Sequence, residues 1–294
     1  MLKQYSKPTC TDTAVCMCYF SSVGYTRPRE NFMRIKRMLD EAEIPLFTAE
    51  CIIGETPQLI PEPTLLTRAN SSLFYKEQLF NMLVKKIPSN YTKLIFMDSD
   101  LIFTIPNWVD MISKKLNTVS AVQGFGRALY LDASETIFAE YISFVKHMKV
   151  YGNPPKGHPG FCWAFNRKFL NEIKGFFDKA IIGSGDSAVS SIFTPSYAYN
   201  YISPFIHNEY LQWKPKQKFL SPITMSFLDI DMYHLYHGDI DNRQYRDRHR
   251  LPDLLKIKKW EDAISVNEYG MYELKNPEIN KVLKNYFLSR KEDD

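Results

Sequence analysis

The chain has 294 residues, of which 45% are hydrophobic and 24% charged, ordinary values for a globular α/β chain with room for a sizeable core. Its 37 basic and 33 acidic residues leave a formal charge of +4, too small to name a nucleic-acid or membrane partner by itself. The five cysteines (Cys10, Cys16, Cys18, Cys51 and Cys162) are an odd set without CxxC or zinc spacing, which argues against a disulfide framework and for reduced thiols.

The opening "MLKQYSKPTCTDTAVCMCYF" has no long apolar core, so no signal peptide is expected, and no run reaches the roughly 18 apolar residues of a membrane span. A cytoplasmic, unsecreted chain is the expectation. "TAVCMCYF" reads as a first buried strand. Phe32, Ile35, Met38 and Leu39 recur at helical spacing between Glu30 and Glu41, and "IPLFTAECII" follows as a second strand. That order is a βαβ unit. "GETPQLIPEPT" is a Pro-rich loop. Ser72 is placed to cap a helix that runs to about Ile87 and is ended by Pro88. "TKLIFMD" is a strand apolar on both faces, as central parallel strands are. "NWVDMISKKL" is a short helix, "VSAVQGF" a strand, and Ala133 to Lys149 a helix. "FCWAFN" is a strand, "RKFLNEI" a helix, "SAVSSIF" a helix and "DMYHLYHG" a strand. The alternation predicts one α/β domain with a mixed, mostly parallel sheet flanked by helices. Within it, a first half is expected over about residues 1–125, a second over about 126–250, and a helical extension over 251–294.

The run "KLIFMDSDLIF" sets Asp98 and Asp100 inside an oily frame. Carboxylates are rarely buried unless paired, hydrogen-bonded or bound to metal. Ligands of open α/β sheets bind beyond the carboxyl ends of strands, and residues two apart on an extended chain point to one side. Two oxygen ligands there suit Mg²⁺ or Mn²⁺ holding a diphosphate. A DxD pair is also compatible with a plain exposed loop. An aspartyl phosphatase places its DxD strand early and a Thr or Val four residues after the first Asp, where this chain has Ile102. A sugar nucleotidyltransferase wants a Gly-rich loop after its first strand, and "YFSSVGYTR" is not one.

"FYKEQLFN", "FMDSD", "GFCWAFNRKFL…GFFDKAIIGSGD" and "HLYHGDIDNRQYRDRH" occur in an order that resembles the GT-A class of nucleotide-sugar glycosyltransferases. The resemblance is to a bacterial and viral group with a galactosyltransferase-like C-terminal region, and it runs from about Cys16 to "YFLSRKEDD". It implies a Rossmann-like fold and metal-dependent transfer from a nucleotide-diphosphate sugar, UDP-linked, to a glycan, protein or modified-DNA hydroxyl. The alternatives are a sugar nucleotidyltransferase, or a non-catalytic sugar- or nucleic-acid-binding module on the same fold.

Further site residues follow from the resemblance. Lys76 falls on the inner face of its helix, either snorkelling to solvent or directed at an anion; the family pattern makes it a nucleotide or diphosphate contact. Phe20, Glu50, Arg68, Asn81 and Ser99 join it on the donor side. His237, before Gly238 and "DIDNR", matches the family histidine that completes the metal site with Asp98 and Asp100, ahead of His234. Asp186 closes "GSGD" as either a general base or an N-cap. The family's Gly-Trp-Gly and acidic pair are here Gly183, Ser184, Gly185 and a single Asp. Gly185 lets backbone approach a sugar, and Trp163 is a sugar platform or a core residue. The basic stretch from Arg243 to Lys259 holds seven Arg/Lys and two Asp. It is a solvated helix face, a lid that lays Arg243 or Arg246 on the diphosphate, or a surface for an acidic acceptor such as DNA.

Overall fold

The structure, a computed structural model, describes residues 4–152, 156–194, 202–214, 224–244 and 247–294. Strand β1 (Thr13–Phe20) is followed by helix α1 (Thr26–Glu41) and strand β2 (Leu46–Ile53), the expected βαβ unit. A third strand, β3 (Leu65–Ala69), then follows the Pro-rich loop and extends the sheet. Its alternation of buried and exposed residues marks an edge, with Arg68 turned to solvent.

Helix α2 (Lys76–Val84) starts three residues later than a cap at Ser72 predicts. Ser72 caps nothing there; its own N–H donates to Asn280 Oδ1 at 2.6 Å. Strand β4 (Lys93–Met97), strand β5 (Leu101–Phe103), helix α3 (Trp108–Leu116) and strand β6 (Ala121–Gln123) come next.

The segment expected as a helix from Ala133 to Lys149 divides. Strand β7 (Arg127–Leu131) pairs antiparallel with β8 (Ile137–Ile142), and only then does helix α4 (Phe144–Tyr151) begin. Ile137, Phe138 and Tyr141 are strand formers, and pairing with β7 overrides the helical spacing. Ser143 stops the strand and caps α4 by accepting from the Lys146 N–H. Strand β9 (Cys162–Asn166) and helices α5 (Arg167–Glu172), α6 (Gly185–Phe193) and α7 (His207–Trp213) lead to strands β10 (Met225–Phe227) and β11 (Asp231–His234). Beyond residue 250, the short helices α8 (Leu251–Leu254) and α9 (Trp260–Ala263) precede a hairpin of β12 (Ile264–Val266) and β13 (Tyr272–Leu274), so that stretch is not purely helical. Helix α10 (Pro277–Ser289) closes the order.

The main sheet runs β10-β6-β9-β4-β1-β2-β3 and is parallel except for β9, which is antiparallel to both β4 and β6. Alternate residues of its strands feed opposite faces. Cys16, Leu94, Phe96 and Phe165 pack with α2, α5 and α6. Val15, Met17, Ile95 and Ala164 pack with α1 and α3. The fold is thus mixed α/β, with a mostly parallel sheet flanked by helices. A second sheet, β5-β11-β7-β8, stands beside it. The chain crosses from the first sheet to the second within Asp98–Ser99–Asp100, and that crossing positions the site. The five cysteines are unpaired, and no helix among the described residues is long and apolar enough to cross a membrane.

Candidate active site

Strand β4 ends at Met97, so Asp98 and Asp100 lie on a turn and not on an extended chain. The Asp98 N–H still donates to the Phe161 carbonyl beside β9, while its carboxylate meets Lys76 Nζ at 3.1 Å. Asp100 faces the second sheet. Strand β11 pairs antiparallel with β5 so that His234 lies opposite Leu101, and the Leu235 N–H donates to the Asp100 carbonyl. The chain then bends and returns His237. Asp100 Oδ2 lies 2.8 Å from His237 Nε2 and 3.6 Å from His234 Nε2. The ligand atoms of Asp100, His234 and His237 all fall within 4.8 Å of one another.

This grouping departs from the expected set in two ways. Asp98 stands aside with Lys76, because the turn removes the two-residue periodicity that would have aligned the carboxylates. His234 joins His237, because the chain bends after β11 instead of continuing as a strand. Tyr130 stacks on the His234 ring at 4.4 Å and 24°, which fixes its plane.

Burial pushes the Asp100 carboxyl up, but His234, His237 and Arg243 overcome it and hold the group well below the usual carboxylate range. Burial keeps His234 well below the usual imidazole range, so it offers a neutral nitrogen. His237 Nε2 faces both Asp100 Oδ2 at 2.8 Å and Arg243 Nη2 at 2.9 Å. One ring nitrogen cannot donate to the carboxylate and accept from the guanidinium at once. Asp100 Oδ1 is buried without a hydrogen-bond partner among the described residues. An anionic oxygen and two imidazole nitrogens, converging with an unmet acceptor, fit a divalent cation. Two nitrogen donors favour Mn²⁺ over Mg²⁺, which prefers oxygen and keeps its waters.

The cleft around this group is also lined by Phe20, Lys76, Glu77, Ser99, His158, Ser184, Asp186, Arg243, Arg248, Arg290 and Glu292. Burial disfavours the Lys76 charge, yet Asp98, Glu77 and Asp186 hold it protonated well above its ordinary value. Burial drives the Glu77 carboxyl up to about 7 against the pull of Lys76, and Asp186 adds to the rise. Burial pushes His158 down to about 4.

Asp186 is the second residue of α6, not its N-cap. That position belongs to Ser184, at φ 78°. Asp186 Oδ1 accepts from the Ser187 N–H, and Oδ2 lies against Gly160, where an added Cβ would come within 2.2 Å of it. Gly185 makes room for a side chain, since a Cβ there would sit 2.2 Å from the Glu77 carboxyl.

Four other candidate residues are placed as follows. Trp163 is 4% exposed, donates Nε1–H to the Pro159 carbonyl and stacks on Phe165 and Phe193, as a core residue. Both Glu50 oxygens accept backbone N–H groups, from Leu59 and Ile60 at 2.8 Å, so Glu50 staples the Pro-rich loop. Asn81 ties α2 to Phe176 through both ends of its amide. Arg68 lies on the solvent side of β3. Glu50, Arg68 and Asn81 do not line the cleft of Asp100, whereas Trp163 lines a small adjoining pocket with Lys76, Asp98 and Asp186. Tyr245 and Arg246 lie outside the described residues.

Sequence reasoning missed Glu77, His158, Arg248, Arg290 and Glu292. Glu77 had a signal, its place beside Lys76 in "FYKEQLFN". Arg290 and Glu292 had none, because only the path of the last helix brings them to the cleft.

No family model and no curated protein matches the chain. Solved structures of similar fold include a mutant of Drosophila β1,4-galactosyltransferase 7 in complex with manganese, UDP-Gal and xylobiose. That match has TM-score 0.36 and 10% identity, over 61% of this chain and 60% of that one. A Desulfovibrio desulfuricans protein described as a nucleotide-diphospho-sugar transferase matches with TM-score 0.35 and 11% identity, over 85% and 99% of the two chains. An Anaerococcus prevotii 4-diphosphocytidyl-2C-methyl-D-erythritol synthase matches with TM-score 0.32 and 8% identity, over 74% and 88%. At such identities a likeness concerns fold and assigns no residue a role.

Proposed function

We propose that this chain is a glycosyltransferase that moves a sugar from a nucleotide-diphosphate donor, UDP-linked, to an acceptor hydroxyl. The observation that carries the reading is the convergence of Asp100, His234 and His237 beside Lys76–Asp98, where the main sheet hands the chain to the second one. Mn²⁺ held by Asp100, His234 and His237 would supply Lewis-acid neutralisation of the departing diphosphate. Asp98 takes part through Lys76 or by turning towards the cation.

Lys76 and Arg243 bind the diphosphate oxygens and hold positive charge where negative charge develops. Asp186, across the cleft, accepts the proton of the acceptor hydroxyl. The hydroxyl oxygen forms the new bond to the anomeric carbon as the bond to phosphate breaks, and the nucleoside diphosphate leaves with the electron pair. Direct displacement inverts the anomeric centre. The unpaired cysteines suit a reducing, cytoplasmic compartment.

The test is a panel of nucleotide sugars, each assayed with and without Mn²⁺ for thermal stabilisation and slow hydrolysis. Binding to the native state raises the melting temperature by mass action. At least one donor is expected to stabilise the chain and turn over only with the metal. A panel in which no nucleotide sugar registers with Mn²⁺ present would remove the proposal.

A further inference from the structure

Residues 287–294 return across the molecule and form part of the cleft wall. The Tyr25 hydroxyl, just before α1, donates to the Leu288 carbonyl at 2.7 Å and accepts from the Lys291 N–H at 3.0 Å. The N-cap position of α1 has no side-chain cap of its own. Asp293 supplies one, accepting from the Thr26 and Arg27 N–H groups at 3.0 and 2.7 Å. The Tyr236 hydroxyl donates to the Asp294 carbonyl at 2.6 Å. Gly238, at φ 85°, follows His237, and a Cβ on it would lie 2.6 Å from the Lys291 carbonyl. The glycine after the histidine is therefore what lets this strap pass.

The strap delivers two side chains. Arg290 lies over the Phe74 ring and pairs with Glu292 at 2.5 Å. Glu292 Oε1 stands 3.5 Å from His237 Nδ1, a buried nitrogen that makes no hydrogen bond among the described residues. The other ring nitrogen, Nε2, is the one turned to Asp100. A histidine that gives one nitrogen to a metal holds its proton on the other, and a carboxylate there fixes tautomer and ring plane and raises ligand basicity. From this geometry we infer that Glu292 is a positioning residue for His237, which makes the strap part of the metal site. The inference rests on the metal-dependent reading above and adds a residue that no local motif marks.

Mn²⁺ alone is the probe, with free ion followed by electron paramagnetic resonance during titration of the full chain. Glu292→Gln keeps size but gives up the charge, and is expected to weaken Mn²⁺ affinity about 10–100-fold. Its metal-free fold is checked by near-ultraviolet circular dichroism. With diamagnetic Zn²⁺ in place of Mn²⁺, long-range ¹H–¹⁵N spectra of His237 are expected to show the Nδ1–H form in the wild type and a mixture in Glu292→Gln, a change that a merely structural role would not produce. Tyr25→Phe combined with Asp293→Asn loosens the strap while leaving every cleft side chain in place, and is expected to weaken Mn²⁺ binding by a smaller factor. This pair keeps the test open if Glu292→Gln does not fold. Wild-type affinity and an unchanged His237 tautomer in Glu292→Gln would overturn the inference and leave the metal site standing. A wild-type chain that binds no Mn²⁺ would overturn both.

Discussion

On one wall of the cleft, Asp100 is buried among His234, His237 and Arg243, and its carboxyl is held far below the usual range. On the other, burial lifts the Glu77 carboxyl to about 7 against the pull of Lys76 and of a backbone N–H, and Asp186 adds to the rise. Desolvation pushes both upward, and the neighbours set them apart: Asp100 is surrounded by His234, His237 and Arg243, whereas Glu77 has carboxylates as well as Lys76 around it. The first wall keeps an anion ready for a cation. The second keeps the Glu77 carboxyl near the point where a proton can be taken or given at neutral pH, a contrast that suits the proposed displacement of a diphosphate by a hydroxyl.

The contrast breaks most completely at Asp100. Asp100→Ala removes a ligand from the Asp100–His234–His237 group, and metal stabilisation of the transition state is worth several kcal/mol. Turnover is expected to fall at least about 10³-fold, and Mn²⁺-dependent thermal stabilisation to vanish. An Asp100→Ala chain that still turned over a donor in Mn²⁺-dependent fashion would refute the assignment of the first wall.

Asp186→Asn breaks the second wall. A general base contributes typically about 10²–10⁴-fold, whereas the cost of losing a helix-terminal carboxylate is about 1 kcal/mol. Transfer should slow at least about a hundredfold, with donor and Mn²⁺ binding intact and hydrolysis less affected. Wild-type transfer by this variant would leave Asp186 a structural role only and withdraw the argument for inversion.

Glu77 sharpens the comparison through pH. Its folded-state value of about 7 exceeds the ordinary 4.5, so the folded chain binds this proton more tightly than the unfolded one. The resulting stabilisation is complete below about 4.5 and is lost as pH rises through about 7. Glu77→Gln, which cannot ionise, should melt close to the wild type near the acid end of that window. Above it the variant should be more stable, by at most about 3 kcal/mol. Parallel melting-temperature curves for the two chains across this window would show that the second wall does not perturb Glu77.

The smallest effect is expected at Arg68→Ala. Its place on the solvent side of an edge strand limits the change to about 0.5 kcal/mol, with donor affinity unchanged. A measured loss of donor binding would return Arg68 to the cleft and extend the donor wall to β3.

The sequence by itself determined the opening βαβ unit, the two-faced burial of β1 and β4, and the singular position of Asp98 and Asp100. These are local statements. Apolar periodicity sets which side of an element is buried, and a carboxylate in an oily run demands a partner whatever the fold. Lys76 was legible for the same reason, as a cation on an apolar helix face. Only the tertiary structure decided which groups meet. Whether Asp100 faces Asp98 or two histidines depends on the chain leaving one sheet for another at Ser99, and on β11 pairing with β5 across more than a hundred residues. Glu50 and Asn81 carried suitable chemistry at suitable places in the sequence, but backbone N–H groups of a loop and a neighbouring turn claimed them first. Glu292 carried no local signal at all, because its role comes from a segment anchored 267 residues away on the first turn of α1. Periodicity and composition report on a residue's own element, whereas a site is defined by contacts between elements, and those are fixed only when the sheets close against one another.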